Sequence, residues 1–178
     1  TCAAPEAYDT ELISLASGLR DHYEADMEAC APHKALEEVF KVIQRANKYI
    51  DETAPWALAK DMDANGARLA HVLYNLLETI RVCGGLLTPF MPDTAAEIAK
   101  RLGGARMDWE SLNTFGVLPA DVATVAGPAL FPRIDVEKEL SLLEAERLAA
   151  VAEAEKKAAG KEELPAPKDE EKTVFTQK

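Results

Sequence analysis

The residues with the most chemical promise lie between Arg45 and Lys60, in the run Arg-Ala-Asn-Lys-Tyr-Ile-Asp-Glu-Thr-Ala-Pro-Trp-Ala-Leu-Ala-Lys. The pattern predicts the end of one helix, a tight acidic turn, and a second helix opened by Pro55 with Trp56 beside it. Proline suits the first helical position, where its missing N–H would lack a partner and its φ is already helical. A tryptophan at such a bend can present an aromatic face to an unpaired base, an interaction worth ~1–3 kcal/mol. The competing arrangement wedges Trp56 between the two helices as core; most tryptophans are largely buried, and spacing alone favours this. Arg45, Lys48 and Lys60 are the natural phosphate partners, or else members of a solvated face in which Lys48 pairs with Glu52 at i,i+4. Asn47 interrupts an apolar stripe, so its amide is expected to brace the corner by bonding a nearby backbone turn. Trp109 is expected to pack.

Other chemistry is sparse. His22, His33 and His71 are isolated and form no zinc-protease spacing. Gly84-Gly85 and Gly103-Gly104 lack the strand–loop–helix setting of a phosphate loop. Ser14, Ser17, Ser111 and Ser141 have no nucleophile-elbow context. Cys2, Cys30 and Cys83 are widely spaced, which fits neither a disulfide framework nor a metal site and favours a reducing, cytoplasmic setting. No catalytic residues and no metal ligands are expected in this chain.

The 178 residues can bury one core, and 48% hydrophobic with 29% charged residues is an ordinary globular composition. No run approaches the ~20 apolar residues of a membrane helix, and no signal peptide opens the sequence. A net charge of −11 argues against non-specific nucleic-acid binding, which needs lysine and arginine. The charge is uneven, however. Residues 1–30 hold seven acids and one base, whereas residues 31–60 hold five bases and four acids. The segment carrying Trp56 is the least negative.

Periodicity predicts an all-α helical bundle. A first helix spans Asp9 to Cys30 on the stripe Leu12, Leu15, Ala16, Leu19 and Tyr23, with Asp9 or Thr10 as cap. A second spans Pro32 to Ile50 on Leu36, Val39, Phe40, Ile43, Asn47 and Ile50. A third starts at Pro55, is interrupted near Asp63 to Gly66 and resumes to about Leu87, with Leu69, Val72, Leu73, Leu76, Leu77, Ile80 and Gly84 inward. A fourth, Thr94 to Leu102, opens with a capping box at Thr94 and Glu97 and stops at Gly103. Residues 104–134 lose the period, with β-like pieces at Val122–Val125 and Leu130–Ile134. A last helix, Asp135 to Ala159, has a thin stripe suited to lying along the outside of the bundle. The bundle is thus placed at 1–159, and the Pro-, Lys- and Glu-rich residues 160–178 read as a flexible tail.

The run ending in Ala-Pro-Trp56 closely resembles the signature of the C-terminal helical anticodon-binding domain of methionyl-tRNA synthetases. Leu87-Thr-Pro-Phe-Met-Pro92 followed by Thr94, then Trp109, then Leu130-Phe-Pro-Arg-Ile-Asp135 are similar to the family's later segments. Together they cover about residues 10–140. The resemblance implies a bundle of the class Ia synthetase type with a C-terminal return helix. It implies that Trp56 stacks on an anticodon base of methionine tRNA, with Pro55 setting its angle. It also implies a parent ligase that uses ATP and Mg2+ to attach methionine, through a catalytic domain whose His-x-Gly-His-type and Lys-Met-Ser-Lys-Ser-type motifs do not occur here. The family's upstream helix, which supplies further base contacts, is also missing from this sequence. This chain alone is therefore expected to be inactive. A different class, a helical protein-docking or scaffold domain, would instead bind a polypeptide through residues 1–30 or 135–159.

Overall fold

The computed structural model describes residues 6–159, so the expected tail at 160–178 lies outside the described residues. The chain divides into two compact units at Leu130. In the first, helices α1 (Ala7–Glu28), α2 (Pro32–Thr53) and α4 (Met62–Leu86) pack pairwise around the core, and the short α3 (Pro55–Leu58) lies against α4. Helix α5 (Pro92–Arg101) and a 3₁₀ turn (Ser111–Asn113) complete the unit. Helix α6 (Val136–Ala159) belongs to the second unit, where Asp135 accepts the backbone N–H of Lys138 and Glu139. Its residues Leu140, Leu142, Leu143, Leu148 and Val151 are exposed.

The core follows apolar periodicity only in part. One cluster gathers Ala16, Leu19 and Tyr23 of α1, Ala35, Val39 and Val42 of α2, and Val82, Cys83 and Leu86 of α4. A smaller one holds Leu12, Tyr49 and Val72, with Ala46, Leu58 and Leu76 against it. On α4 the predicted face holds at Val72, Leu76 and Gly84 but is broken elsewhere: Leu73 and Ile80 remain 45% exposed, while Asn75, Glu78 and Arg81 are inside. On α2, Phe40 and Asn47 lie outside, and Arg45 and Tyr49 lie inside. Polar side chains can occupy a core when each finds a partner: Tyr49, Asn75, Glu78 and Arg81 are hydrogen-bonded, and Arg45 is held by ion pairs.

Element ends also differ from expectation. Glu6 caps α1, and Asp9 at N3 reaches back to the Glu6 N–H at 2.7 Å. The acidic Asp51-Glu52-Thr53 is the last turn of α2 rather than a loop, because Ala54 makes the bend instead. The interruption before α4 falls at Ala59–Asp61, where the Asp61 carboxylate accepts the Ala64 N–H at 3.1 Å. Helix α5 starts at Pro92, so Thr94 sits inside it and makes no capping box. Gly103 does supply the left-handed stop, at φ 70°. The β-like pieces form no strand among the described residues. Val125 instead donates to the Arg101 carbonyl at 2.8 Å, laying that extended stretch against the end of α5. Cys83 is buried, and burial pushes its thiol up to about 12, whereas Cys30 is exposed.

Candidate nucleic-acid interface

The bend between α2 and α3 is made by one residue. Ala54 takes the left-handed conformation (φ 42°, ψ 62°) while its N–H still donates to the Ile50 carbonyl at 2.9 Å. A non-glycine residue there costs on the order of 1 kcal/mol, so the surrounding structure must impose it. Pro55 then opens α3, and the Ala54 carbonyl accepts the N–H of Ala57 at 2.8 Å and of Leu58 at 3.3 Å. Residues two apart on a helix point to opposite sides. Leu58 accordingly packs against Leu12, Tyr49 and Val72, and Trp56 stands in solvent with 57% of its surface exposed. The arrangement that seals Trp56 into the core is not what forms.

Beneath this corner lies a polar knot centred on one buried carboxylate. Asp9 is fully buried and accepts from the Tyr49 hydroxyl at 2.5 Å, from Arg68 Nη1 at 2.5 Å and from the Glu6 N–H. Asn75 Nδ2 donates to the same Tyr49 hydroxyl at 3.3 Å. Burial pushes the Asp9 carboxyl up, but the bonds from Arg68, Tyr49 and the Glu6 amide outweigh it and leave the pKa below its ordinary value. The Tyr49 phenol is driven to about 12, first by burial and then by its bond to Asp9. His71 Nε2 lies 3.7 Å from the same carboxylate. Asp9, Tyr49, Arg68 and Asn75 thus tie α1, α2 and α4 together at one point. Sequence reasoning did not find them; the available signal was the phase of α2, where Tyr49 continues the inward row Ala35, Val39, Val42.

The cations of the segment separate into two kinds. Arg45 has a side chain only 7% exposed and is paired with Glu11 at 2.8 Å on α1 and with Glu52 at 3.0 Å on its own helix. Burial disfavours its charge, yet Glu11 and Glu52 more than restore it, so its pKa is raised. Arg45 is expected from sequence to meet a phosphate; in the structure its guanidinium joins α1 to α2 through Glu11 and also pairs with Glu52. Lys48, with a side chain 70% exposed, touches Glu52 only at 3.5 Å, and Lys60 is exposed. Asn47 is exposed as well, and no side-chain hydrogen bond of Asn47 is seen among the described residues, so it does not brace the corner. The bracing falls to Tyr49 instead.

Trp109 is held differently from Trp56. Its ring lies 6.2 Å from that of Tyr23, tilted by 53°, and the Arg20 guanidinium sits 4.5 Å above it. Among the described residues no cluster of His, Cys, Asp or Glu is arranged to hold a metal ion, and no helix is long and apolar enough to cross a membrane.

Fold and corner together define a class: an α-helical bundle bearing an exposed tryptophan at an inter-helix bend. The profile of the anticodon binding domain of methionyl tRNA ligase matches residues 2–152, and the chain belongs to that family. It is similar to the methionine–tRNA ligase of Caldanaerobacter subterraneus, 46% identical over 144 residues that cover 80% of this chain and 22% of that relative. The Clostridium perfringens methionine–tRNA ligase is 45% identical over 151 residues, 85% of this chain and 23% of that relative. The free form of Mycobacterium tuberculosis methionyl-tRNA synthetase superposes with a TM-score of 0.69 at 29% identity, over 76% of this chain and 27% of that one. The chain therefore spans about a quarter of the length of the relatives it matches.

Proposed function

We propose that this chain reads the anticodon loop of methionine tRNA on behalf of a methionine–tRNA ligase. The observation that carries the reading is Trp56, an indole 57% exposed on a four-residue helix whose opposite side is anchored in the core. Trp56 stacks on an anticodon base, and Pro55 with the left-handed Ala54 sets its angle. Lys48 and Lys60 meet backbone phosphates, and the exposed amide of Asn47 is available for a base or ribose. Electrostatics contributes little, since the chain carries −11 overall. ATP and Mg2+ are used elsewhere in the ligase, by a catalytic domain that is the other partner of this unit. A cytoplasmic setting suits the exposed free thiol of Cys30.

The test replaces Trp56 with alanine in the complete ligase. Stacking worth ~1–3 kcal/mol translates to a loss of roughly 5- to 150-fold in kcat/KM for tRNA charging. Methionine-dependent ATP–pyrophosphate exchange, which needs no tRNA, stays near its original rate. Equal charging by Trp56→Ala removes the assignment and favours the protein-docking alternative.

A further inference from the structure

We infer that Tyr49, which touches no RNA, is the positioning residue that sets the angle of Trp56; this rests on the anticodon-reading function above. Three observations converge on it. Its hydroxyl is fixed from two other helices, donating to Asp9 of α1 at 2.5 Å and accepting from Asn75 of α4 at 3.3 Å. Its ring, fully buried, forms with Leu12 and Val72 the apolar seat on which Leu58 rests. Its backbone carbonyl accepts the Thr53 hydroxyl at 2.6 Å, one residue before the left-handed Ala54.

The consequence is mechanical. Helix α3 has four residues, Pro55 to Leu58, and among them none is fully buried. A helix this short has no rigidity of its own, because one turn barely closes its first hydrogen bonds. Its orientation is inherited from what holds its two ends. At the N-terminal end that is the Thr53–Ala54 bend, and at the C-terminal end it is Leu58 in its seat. Tyr49 supports both, one through its carbonyl and the other through its ring. Its hydroxyl, in turn, is locked by a buried charge that Arg68 and the Glu6 N–H also hold, so the ring cannot rotate or slide without disturbing three helices. Trp56 thereby presents its face in one orientation, and the ordering cost of stacking is met before RNA arrives.

The experiment is a double-mutant cycle in the complete ligase: wild type, Tyr49→Phe, Trp56→Ala and both together, read as kcat, KM and kcat/KM for tRNA. Tyr49→Phe keeps the ring and frees it from Asp9. It is expected to raise KM for tRNA roughly five- to tenfold, with kcat at saturating tRNA nearly held. In the Trp56→Ala background the same substitution has no further effect, because there is no indole left to aim. Thr53→Val, which removes only the hydroxyl bond to the Tyr49 carbonyl, shows a smaller KM effect that also vanishes without Trp56, and it covers the case in which Tyr49→Phe does not fold. If Trp56→Ala impairs charging but the Tyr49 and Thr53 effects simply multiply with it, the positioning role is refuted and the anticodon reading stands. If Trp56→Ala leaves charging intact, the anticodon reading fails first and carries the positioning role with it.

Discussion

Helix α4 meets buried charge at two places, Asp9 of α1 and its own Glu78–Arg81 pair, and the two sites use it differently. Around Arg68 and Asn75, a single carboxylate from α1 and a phenol from α2 are tied to α4 side chains, so helix is bonded to helix. Around Glu78 and Arg81, both fully buried, the partners are mostly backbone. Arg81 donates to Glu78 at 3.0 and 3.1 Å and to the carbonyls of Arg106, Ser111 and Thr114. Glu78 accepts the N–H of Gly116 at 3.0 Å and of Leu118 at 2.5 Å. The segment from 106 to 118 has one 3₁₀ turn and no other regular structure, so its backbone polar groups satisfy one another only between Asp108 and Thr114. The ion pair supplies what a helix or sheet would have supplied. The Asp9 knot fixes relative rotation beneath an exposed surface; the Glu78–Arg81 pair holds an irregular loop down. One site ties helix to helix, the other ties loop to helix.

Breaking the loop-holding site should be the costlier of the two. Arg81→Met leaves the Glu78 carboxylate buried beside only two backbone donors, a situation that typically costs about 3–5 kcal/mol. Chemical denaturation should show that loss, while kcat/KM for tRNA in the remaining folded ligase stays unchanged. A large tRNA defect in folded Arg81→Met would blur the division.

Asp9→Asn should cost less, about 1–3 kcal/mol at neutral pH, since Arg68 keeps a contact to Glu6 at 3.1 Å. Its pH dependence is the sharper readout. The folded Asp9 pKa is lowered, so its contribution is fully present above the ordinary carboxyl value and is lost as pH falls through the folded one. Stability curves of wild type and Asp9→Asn should therefore run apart at neutral pH and converge below about pH 4. A gap that persists at acid pH would mean that the knot acts through shape rather than charge.

The smallest effects belong to the surface cations. Lys48→Ala and Lys60→Ala should each weaken tRNA binding modestly and reduce the slope of log affinity against log salt by about one, without touching stability. Arg45→Ala should do the reverse, lowering stability through the lost ion pairs with Glu11 and Glu52 and leaving the salt slope alone. A salt slope that drops for Arg45→Ala would restore it to the RNA contact set.

The same contrast explains what was legible in the sequence. The α2–α3 corner could be read because proline, tryptophan and their neighbours act locally: the first turn of a helix depends on residues adjacent in sequence. Helices α1 and α2 were legible within a few residues for the same reason. The inward faces of α2 and α4 were legible only in part: Val39, Val72 and Gly84 lie inside as expected, but the polar inward positions are decided by partners far along the chain. Tyr49 is 40 residues from Asp9, and Glu78 is 40 from Leu118. An apolar stripe drawn through Leu73 and Ile80 assigns Asn75, Glu78 and Arg81 to solvent unless their partners are known. The pairing of Arg45 was hidden by the same logic, since Glu11 of α1 lies 34 residues away in sequence. Val122–Val125 had strand-like composition but no neighbouring strand, and so remained an extended stretch tied at Val125.

The central claim is that Trp56 meets a base of the anticodon, and its own fluorescence reports this most directly. With Trp109→Phe, Trp56 is the sole tryptophan of the chain. Titration with the anticodon stem-loop of methionine tRNA should quench its emission, and a stem-loop with a changed anticodon should not. Equal quenching by both RNAs, or none at concentrations where a label on the RNA reports binding, would contradict the account.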